Sequence, residues 1–558
     1  MDVEKMMQMI TEIIRKSYVE SGYAVECENF DTNEIMLPSH DGKKLRTVIY
    51  KPRNREADFP VVVQRSCYPM MEKMLQLHAE ELTRRGFAFV YQMCRGTGGS
   101  KGEWEPNVND RDDGLALMNW LNAEPWVRCM GYQGASYLAF TGWVMADALP
   151  EKVKSLYLTV YGTDRHTSAY KDGLFRQDIL TSWAMGNAGR VIEADYLESC
   201  KFRPQINVDT EMWGGRLDWY RDWITSTSRT APYWNDGFWK MLRDIPGKMK
   251  VPVYIGEGWY DHHLGSALKG YESLSEESKK HTVVRIGPWN HSFMPAISGH
   301  KEQKNGNGNE TLNALWWFTE TLKKGEKPEA KIHGYVIGAD KWREWSSYPF
   351  ETKKEVKFFL GTGGDLLPSS EHGGEISYVY DPINPVMSHG GESLFATQPE
   401  IGSLLQPEPN FRSDVISFVS APLERDIEII GKIKANLFVS SDADDTAFTI
   451  KLMEVFENGE AYNIRNGVTT LAYRNGSESR VSYTAGEIVE AEIICWDVAW
   501  LLKKGSCLRL DVSSSNFPEY AVHPNVAGVW SEIIETKPAK QTIYFGSDYP
   551  ARVTLPLN

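Results

Sequence analysis

The chain has 558 residues, room for roughly three to five domains at about 100 to 200 residues each, which excludes a single small binding module. With 42% hydrophobic and 24% charged residues it can bury large cores, so a disordered scaffold is excluded as well. Lys and Arg number 61 against 75 Asp and Glu, a net charge of −14, which argues against nucleic acid or anionic lipid as a partner.

Met6, Met7, Ile10, Ile13 and Ile14 recur at helical spacing and predict an amphipathic N-terminal helix. Its other face mixes acids with bases, so it is expected to pack on the body and not on a membrane. Asp2 and Glu4 interrupt any signal-like start, and no stretch approaches the ~18 to 20 apolar residues needed to span a bilayer. The cysteines Cys27, Cys67, Cys94, Cys129, Cys200, Cys495 and Cys507 are odd in number and lack CxxC spacing, so they read as buried thiols in a reducing compartment. The expectation is a soluble, cytoplasmic protein.

Residues 33–52, NEIMLPSHDGKKLRTVIYKP, predict two strands joined by a turn at Asp41-Gly42. Short apolar runs then alternate with helical stretches: PVVVQR from Pro60, FAFVYQM from Phe87, SLYLTVY from Ser155, VPVYIG from Val251 and TVVRIG from Thr282. Such runs indicate a parallel sheet covered on both faces. Between Gly162 and Lys250 the strand rhythm stops, and Trp183, Trp213, Trp219, Trp223, Trp234 and Trp239 occur among helical patterns. This segment reads as a helical insertion over the sheet, its tryptophans mostly packing residues, with one or two lining a pocket.

KNGNGNE at Lys304–Glu310 reads as a surface loop, ALWWFTETL as a helix and IHGYVIG as a strand. From Val356 onward, short strands separated by Gly, Pro, Asn and Asp turns predict a β-sandwich of the jelly-roll kind. The expected organisation is an α/β domain over residues 1–161 and 251–348, a helical cap over 162–250, and the β-sandwich over 349–558.

The sharpest chemical signal is GASYLA, Gly134 to Ala139. Preceded by the apolar VRCMGY and followed by the helical FTGWVMADAL, it puts Ser136 at a strand-to-helix turn, the setting of a nucleophile elbow, although Ala139 stands where G-x-S-x-G has its second glycine. Two later apolar strands end alike: VPVYIGEGWYD delivers Asp261 and TVVRIGPWNH delivers His291, each just past the strand end where open α/β sheets keep their sites. The order Ser, Asp, His is that of an α/β-hydrolase. His291 would be the base that activates Ser136 and later protonates the leaving group. Asp261 would orient the imidazole, and the backbone N–H of Tyr137 would be one oxyanion donor.

Tyr68 in QRSCYPM, the loop CRGTGGSKGEW (Cys94–Trp104), GASY, GWYD and GPWNH together resemble the cocaine esterase and X-prolyl dipeptidyl-peptidase superfamily of serine hydrolases. Tyr380–Gly391, Ser413–Val455 and Arg509–Pro518 resemble the jelly-roll domain that accompanies that catalytic domain. The resemblance implies that Tyr68, one of 26 tyrosines and otherwise unremarkable, is the second oxyanion donor through its hydroxyl. It also implies that the helical segment caps the site, that the jelly roll completes the pocket wall, and that a homodimer forms. Departures fall at Ala139, at Ala116 where a second acid is common, and at His262-His263, which stand where related α-amino-acid ester hydrolases carry ammonium-binding carboxylates.

His262 and His263 are expected to be pocket-wall or structural residues, since adjacent side chains diverge and no third ligand is indicated; no metal and no cofactor are expected. RGTGGSKGE lacks phosphate-loop spacing and reads as a backbone turn near the site. DADDT at Asp442–Thr446 lacks the continuation of a calcium loop and reads as a solvated loop. The expected activity is hydrolysis of a small-molecule or short-peptide ester or amide, with carboxylesterase or acylase first and X-Pro dipeptidyl-peptidase second. A non-catalytic carbohydrate- or protein-binding role of the jelly roll is the alternative from another class.

Overall fold

A computed structural model describes residues 3–370, 373–393 and 401–558, with the backbone alone for 3–10. The chain opens with the helix Val3–Glu20, whose Ile14 and Tyr18 are buried. Tyr18 is hydrogen-bonded to His78 Nδ1 at 3.0 Å on the helix Glu72–Arg84. Ile13, counted with the apolar face, is 53% exposed, because one residue is a 100° step about a helix and turns it off the seam that holds Ile14. The side chains of Met6, Met7 and Ile10 lie outside the described residues.

The first sheet has ten strands. β1 (Phe30–Pro38) and β2 (Lys44–Pro52) form the antiparallel hairpin. They are followed by β3 (Phe59–Ser66), β4 (Ala88–Met93), β5 (Val127–Ala135) and β6 (Val153–Thr159). A two-stranded excursion, β7 (Tyr170–Lys171) and β8 (Leu174–Phe175), intervenes. β9 (Val253–Gly258), β10 (Val283–Gly287), β11 (Lys331–Val336) and β12 (Lys341–Trp345) complete the sheet.

The strand order is β1-β2-β4-β3-β5-β6-β9-β10-β11-β12. From β4 to β11 every neighbouring pair is parallel. β3, β4 and β9 are buried at every position, as unbroken apolar runs require when helices cover both faces. β4 and β5 flank β3 on opposite sides, so the winding direction reverses there and opens a crevice at the carboxyl ends of β3 and β5.

Between β6 and β9 the chain forms short helices, among them Gln177–Gly186, Asp218–Thr225 and Gly237–Asp244. Trp213, Trp223, Trp234 and Trp239 are buried in this layer. The helix after Ser136 is Tyr137–Trp143, starting directly at the turn and ending earlier than the apolar run predicts. Arg111 holds its exit by donating to the Val144 carbonyl and to Asp147 (2.7 Å).

Among the described residues the C-terminal half forms an eleven-stranded β system, antiparallel except where Asp365–Leu367 pairs with Ile416–Ser420. It is joined to the first domain by backbone bonds from Ile337 N–H to the Ala499 carbonyl (3.0 Å) and from Leu501 N–H to the Ile337 carbonyl (2.7 Å). Within the acidic run at Asp442–Thr446, Asp442 and Asp444 are exposed as expected of a solvated loop, but Asp445 is not. Asp445 is 2% exposed and pairs with Arg480 at 2.7 Å, accepting also from the Thr446 and Ala472 amides. It fixes the loop, and a carboxylate so paired can be buried without an ion.

Candidate active site

Parallel strands end on one edge, so β3, β5, β9 and β10 deliver Tyr68, Ser136, Asp261 and His291 to the same rim. Ser136 sits between β5 and its helix at φ 55°, ψ −128°, a conformation that costs an L-residue of order 1–3 kcal/mol and persists only where the surroundings enforce it. Its N–H donates to the Thr159 carbonyl at 3.0 Å on neighbouring β6. Gly134 is required beneath the turn, since a Cβ there would stand 2.0 Å from the Leu138 carbonyl oxygen. Ala139, fully buried, is tolerated at the other flank.

The loops after β9 and β10 are stitched together. Trp259 N–H donates to the Gly287 carbonyl (2.8 Å) and Tyr260 N–H to the Trp289 carbonyl (3.0 Å). Gly258 allows this approach, for a Cβ would come within 2.2 Å of the Trp289 carbonyl oxygen. Asp261, fully buried, accepts from the His263 amide (2.6 Å) through one oxygen and from His291 Nδ1 (2.7 Å) through the other. His291 Nε2 lies 3.0 Å from Ser136 Oγ. An ionised carboxylate can only accept, so Nδ1 carries the proton and the Nε2 lone pair faces the serine.

Tyr68 follows β3, and its hydroxyl accepts a hydrogen bond from the indole N–H of Trp183 at 3.0 Å. Burial, then the neighbouring Cys67, hold the Tyr68 phenol well above its ordinary range, against the Trp183 bond. Trp183 stacks on Tyr137 at 5.7 Å between ring centres, and Trp104 packs against both. The Tyr137 hydroxyl donates to Asp110 (2.7 Å) and accepts from the Asn107 amide (2.8 Å). Tyr137 is also the first residue of its helix, where helix geometry leaves the backbone N–H without an internal acceptor.

The glycine-rich loop acts through Trp104. Arg95 binds Asp41 (2.6 and 3.1 Å) in the hairpin turn and Asp113 (3.1 and 2.7 Å). Gly96 lies so close to the Trp104 backbone that a Cβ would meet its nitrogen at 2.4 Å. A bidentate guanidinium and a close backbone crossing together set where Trp104 points.

Behind the relay lies a buried imidazole layer. His262 and His263 are each 3% exposed, which makes them structural in place of wall residues. The His262 ring lies 4.4 Å from His291, and Ser168 Oγ is hydrogen-bonded to His263 Nδ1 at 2.9 Å. Burial first, and the nearby imidazoles, Arg165 and Arg176 after it, push both well below the usual histidine range. Glu257 of β9 is fully buried, and burial followed by the Asp261 charge raises its carboxyl well above the usual range. Burial thus favours the neutral form of the Glu257 carboxyl.

Asp261, His262 and His291 offer ligand atoms within 4.8 Å of one another. Two of these groups already bond each other at 2.7 Å, so a divalent ion there would have to replace that bond and unmake the relay. Reading of the sequence missed the roles of Trp104 and Glu257 and left Trp183 among six tryptophans. A glutamate inside an otherwise apolar strand was the available signal for Glu257.

The family model described as X-Pro dipeptidyl-peptidase (S15 family) matches residues 41–293. That of the X-Pro dipeptidyl-peptidase C-terminal non-catalytic domain matches residues 321–554. The chain is 27% identical to the cocaine esterase of Rhodococcus sp. (strain MB1 Bresler) over 97% of its own length and 99% of the relative's. It shares its fold with an aminopeptidase from the marine sediment archaeon Thaumarchaeota archaeon, with TM-score 0.81, 19% identity, and 96% and 97% of the two chains covered. An α-amino acid ester hydrolase superposes with TM-score 0.78, 20% identity, and 96% and 98% coverage. With both halves matched by the paired domains of one family, in order, the chain belongs to the cocaine esterase and X-Pro dipeptidyl-peptidase superfamily of serine hydrolases.

Proposed function

We propose that this hydrolase cleaves a small-molecule or short-peptide ester or amide through an acyl-enzyme on Ser136. The observation that carries the reading is the hydrogen-bonded sequence Ser136 Oγ, His291 Nε2, His291 Nδ1, Asp261, with steps of 3.0 and 2.7 Å. His291 takes the serine proton as Oγ attacks the carbonyl carbon, then returns it to the departing alcohol or amine. Asp261 keeps the imidazole in the tautomer that can accept and stabilises its cation. The Tyr137 amide and the Tyr68 hydroxyl receive the negative charge that develops on the carbonyl oxygen. Water, activated by the same imidazole, releases the acid.

Esterase or acylase action is preferred to dipeptidyl-peptidase action. A peptidase of that class must neutralise a free amino terminus, and the two residues after Asp261 are buried neutral imidazoles. Glu392, a buried acid at the interface between cap and β domain, is taken by guanidinium groups, pairing with Arg465 at 2.8 Å and with Arg176 at 3.8 Å. The peptidase reading keeps the support of the family description and of the aminopeptidase fold relative. A reducing compartment such as the cytoplasm fits the seven free thiols.

The test is incubation with a fluorophosphonate followed by intact and peptide mass measurement. One adduct on the Ser136 peptide, missing in His291→Ala, is expected. No adduct in folded protein would overturn the assignment. Aryl esters against Gly-Pro anilide then separate the two substrate classes.

A further inference from the structure

The C-terminal β domain holds a cavity of about 630 Å³, within the range of ligand pockets, roughly 300–1,000 Å³. None of its lining residues belongs to the site at Ser136. Its floor is polar and comes from two antiparallel strands, Ala447–Val455 and Cys507–Ser513. Lys451 lies opposite Asp511 and Thr449 opposite Ser513, so strand alternation puts all four on one face. The rim is apolar and unusually open to solvent: Met387, Leu405 and Phe411 are 47%, 49% and 44% exposed.

The floor carries one uncompensated charge. Asp511 is neutralised by Arg509 at 2.7 and 2.6 Å and accepts from Ser417. Arg412, at the side of the cavity, is held by Asp414 at 2.7 and 2.9 Å. Lys451 donates to the His389 carbonyl (3.1 Å) and to Gln406 Oε1 (3.0 Å), both neutral. Among the described residues no carboxylate forms an ion pair with it. Burial pushes its ammonium down to about 8, with Asp511 and Glu519 opposing and Arg509 adding to the fall. Ser513, 6% exposed, has a buried hydroxyl with no hydrogen-bond partner among the described residues.

A half-buried cation that no carboxylate among the described residues pairs with, and a buried hydroxyl without a hydrogen bond, are each unfavourable, and one acceptor-bearing anion would relieve both. With Arg509 and Arg412 both engaged, the floor offers a single positive charge, which suits a monoanion better than a phosphate. The exposed apolar rim requires an apolar body above that anion. We propose that this cavity binds a small organic carboxylate with a ring-sized apolar body, its carboxylate on the Lys451 and Ser513 floor and its body between Met387, Leu405 and Phe411. The site is separate from the one at Ser136 and does not depend on the function proposed for it.

Calorimetric titration of the full chain with 2-naphthoate tests this, with 2-naphthalenemethanol as the neutral comparator. One molecule of naphthoate is expected per chain, surviving fluorophosphonate pretreatment, and the alcohol should bind about ten- to a hundredfold more weakly for want of the charge-assisted bond. Lys451→Met should lose a similar factor while keeping wild-type ester hydrolysis. Should that variant misfold, Phe411→Ser on the open rim must still weaken naphthoate by about fivefold or more, as expected for removal of one ring contact. Equal affinity for acid and alcohol, loss of binding on fluorophosphonate treatment, or indifference to these substitutions would overturn the proposal. So would absence of binding, including the case where the rim is covered by a second copy of the chain.

Discussion

Replacing Tyr68 by Phe removes one oxygen and isolates a single step of the proposed reaction. An indole N–H can only donate, so the 3.0 Å bond from Trp183 makes the Tyr68 oxygen an acceptor and leaves the phenol's own proton for another partner. Burial holds that phenol well above its ordinary range, so the proton stays on oxygen throughout an esterase assay. A donor aimed at the developing oxyanion contributes about 2.7–4 kcal/mol to the transition state, and its loss lowers kcat about 10²- to 10³-fold. KM should change little, because the ground-state carbonyl oxygen is the weaker acceptor. The same substitution leaves the Trp183 N–H unpaired, at a cost of about 1–3 kcal/mol in stability. Trp183→Phe is the companion: it keeps the phenol but releases its orientation, and should lower kcat roughly two- to tenfold, the worth of one neutral hydrogen bond. Steady-state kinetics on a nitrophenyl ester, with denaturant unfolding of each variant, read both effects. A Tyr68→Phe enzyme with wild-type kcat, or one changed only in KM, would refute the reasoning.

Ser136→Ala should lower turnover by about 10⁶-fold with the fold unchanged, since members of such a relay act as a unit. Ser136→Gly should be equally inactive yet more stable by roughly 1 kcal/mol, because glycine accepts the φ of 55° without strain; denaturation midpoints decide. His262 and His263 are neutral in the folded protein with depressed pKa, so stability is full above the ordinary histidine range and falls as pH drops and the unfolded chain takes up protons. His262→Leu should therefore move the acid-unfolding midpoint, read by tryptophan fluorescence, to lower pH, and an unmoved midpoint would contradict the burial argument. Glu257 has a raised pKa, so its contribution has the opposite sign: full below the unfolded glutamate range and lost as pH rises. Glu257→Gln should keep activity and flatten the alkaline loss of stability; a large fall in kcat would mean that the ionised form is needed. Dialysis against EDTA should leave turnover unchanged, and inactivation reversed by zinc would give the Asp261, His262 and His291 group a metal.

Ser136, Asp261 and His291 were legible in the sequence because each ends an apolar run that can only be a buried parallel strand, and parallel strands share one rim. The expectation of a solvated DADDT loop failed at Asp445 for a definite reason: its partner Arg480 is 35 residues away in the chain, and composition cannot show which cation a carboxylate will meet. Ile13 was assigned to the apolar face by spacing alone, but it stands a 100° step around the helix from buried Ile14 and faces solvent. Tyr68 was singled out as the proposed oxyanion donor through resemblance, since nothing in QRSCYPM itself points to that role.

By itself, then, the sequence determined whatever depends on neighbours along the chain: which runs are strands, where the tight turns after β5 and β9 fall, and which side chains stand just past them. Tertiary structure alone decided whatever depends on meetings between distant segments. It brought the Trp183 indole from the helical layer onto Tyr68, 115 residues away. It set Glu257 and the two imidazoles in a buried layer behind Asp261, and it formed a cavity over Lys451, which no carboxylate among the described residues pairs with. Local backbone preference and hydrophobic period are carried by adjacent residues, whereas desolvation and charge pairing are properties of the space between segments, and only the completed fold defines that space.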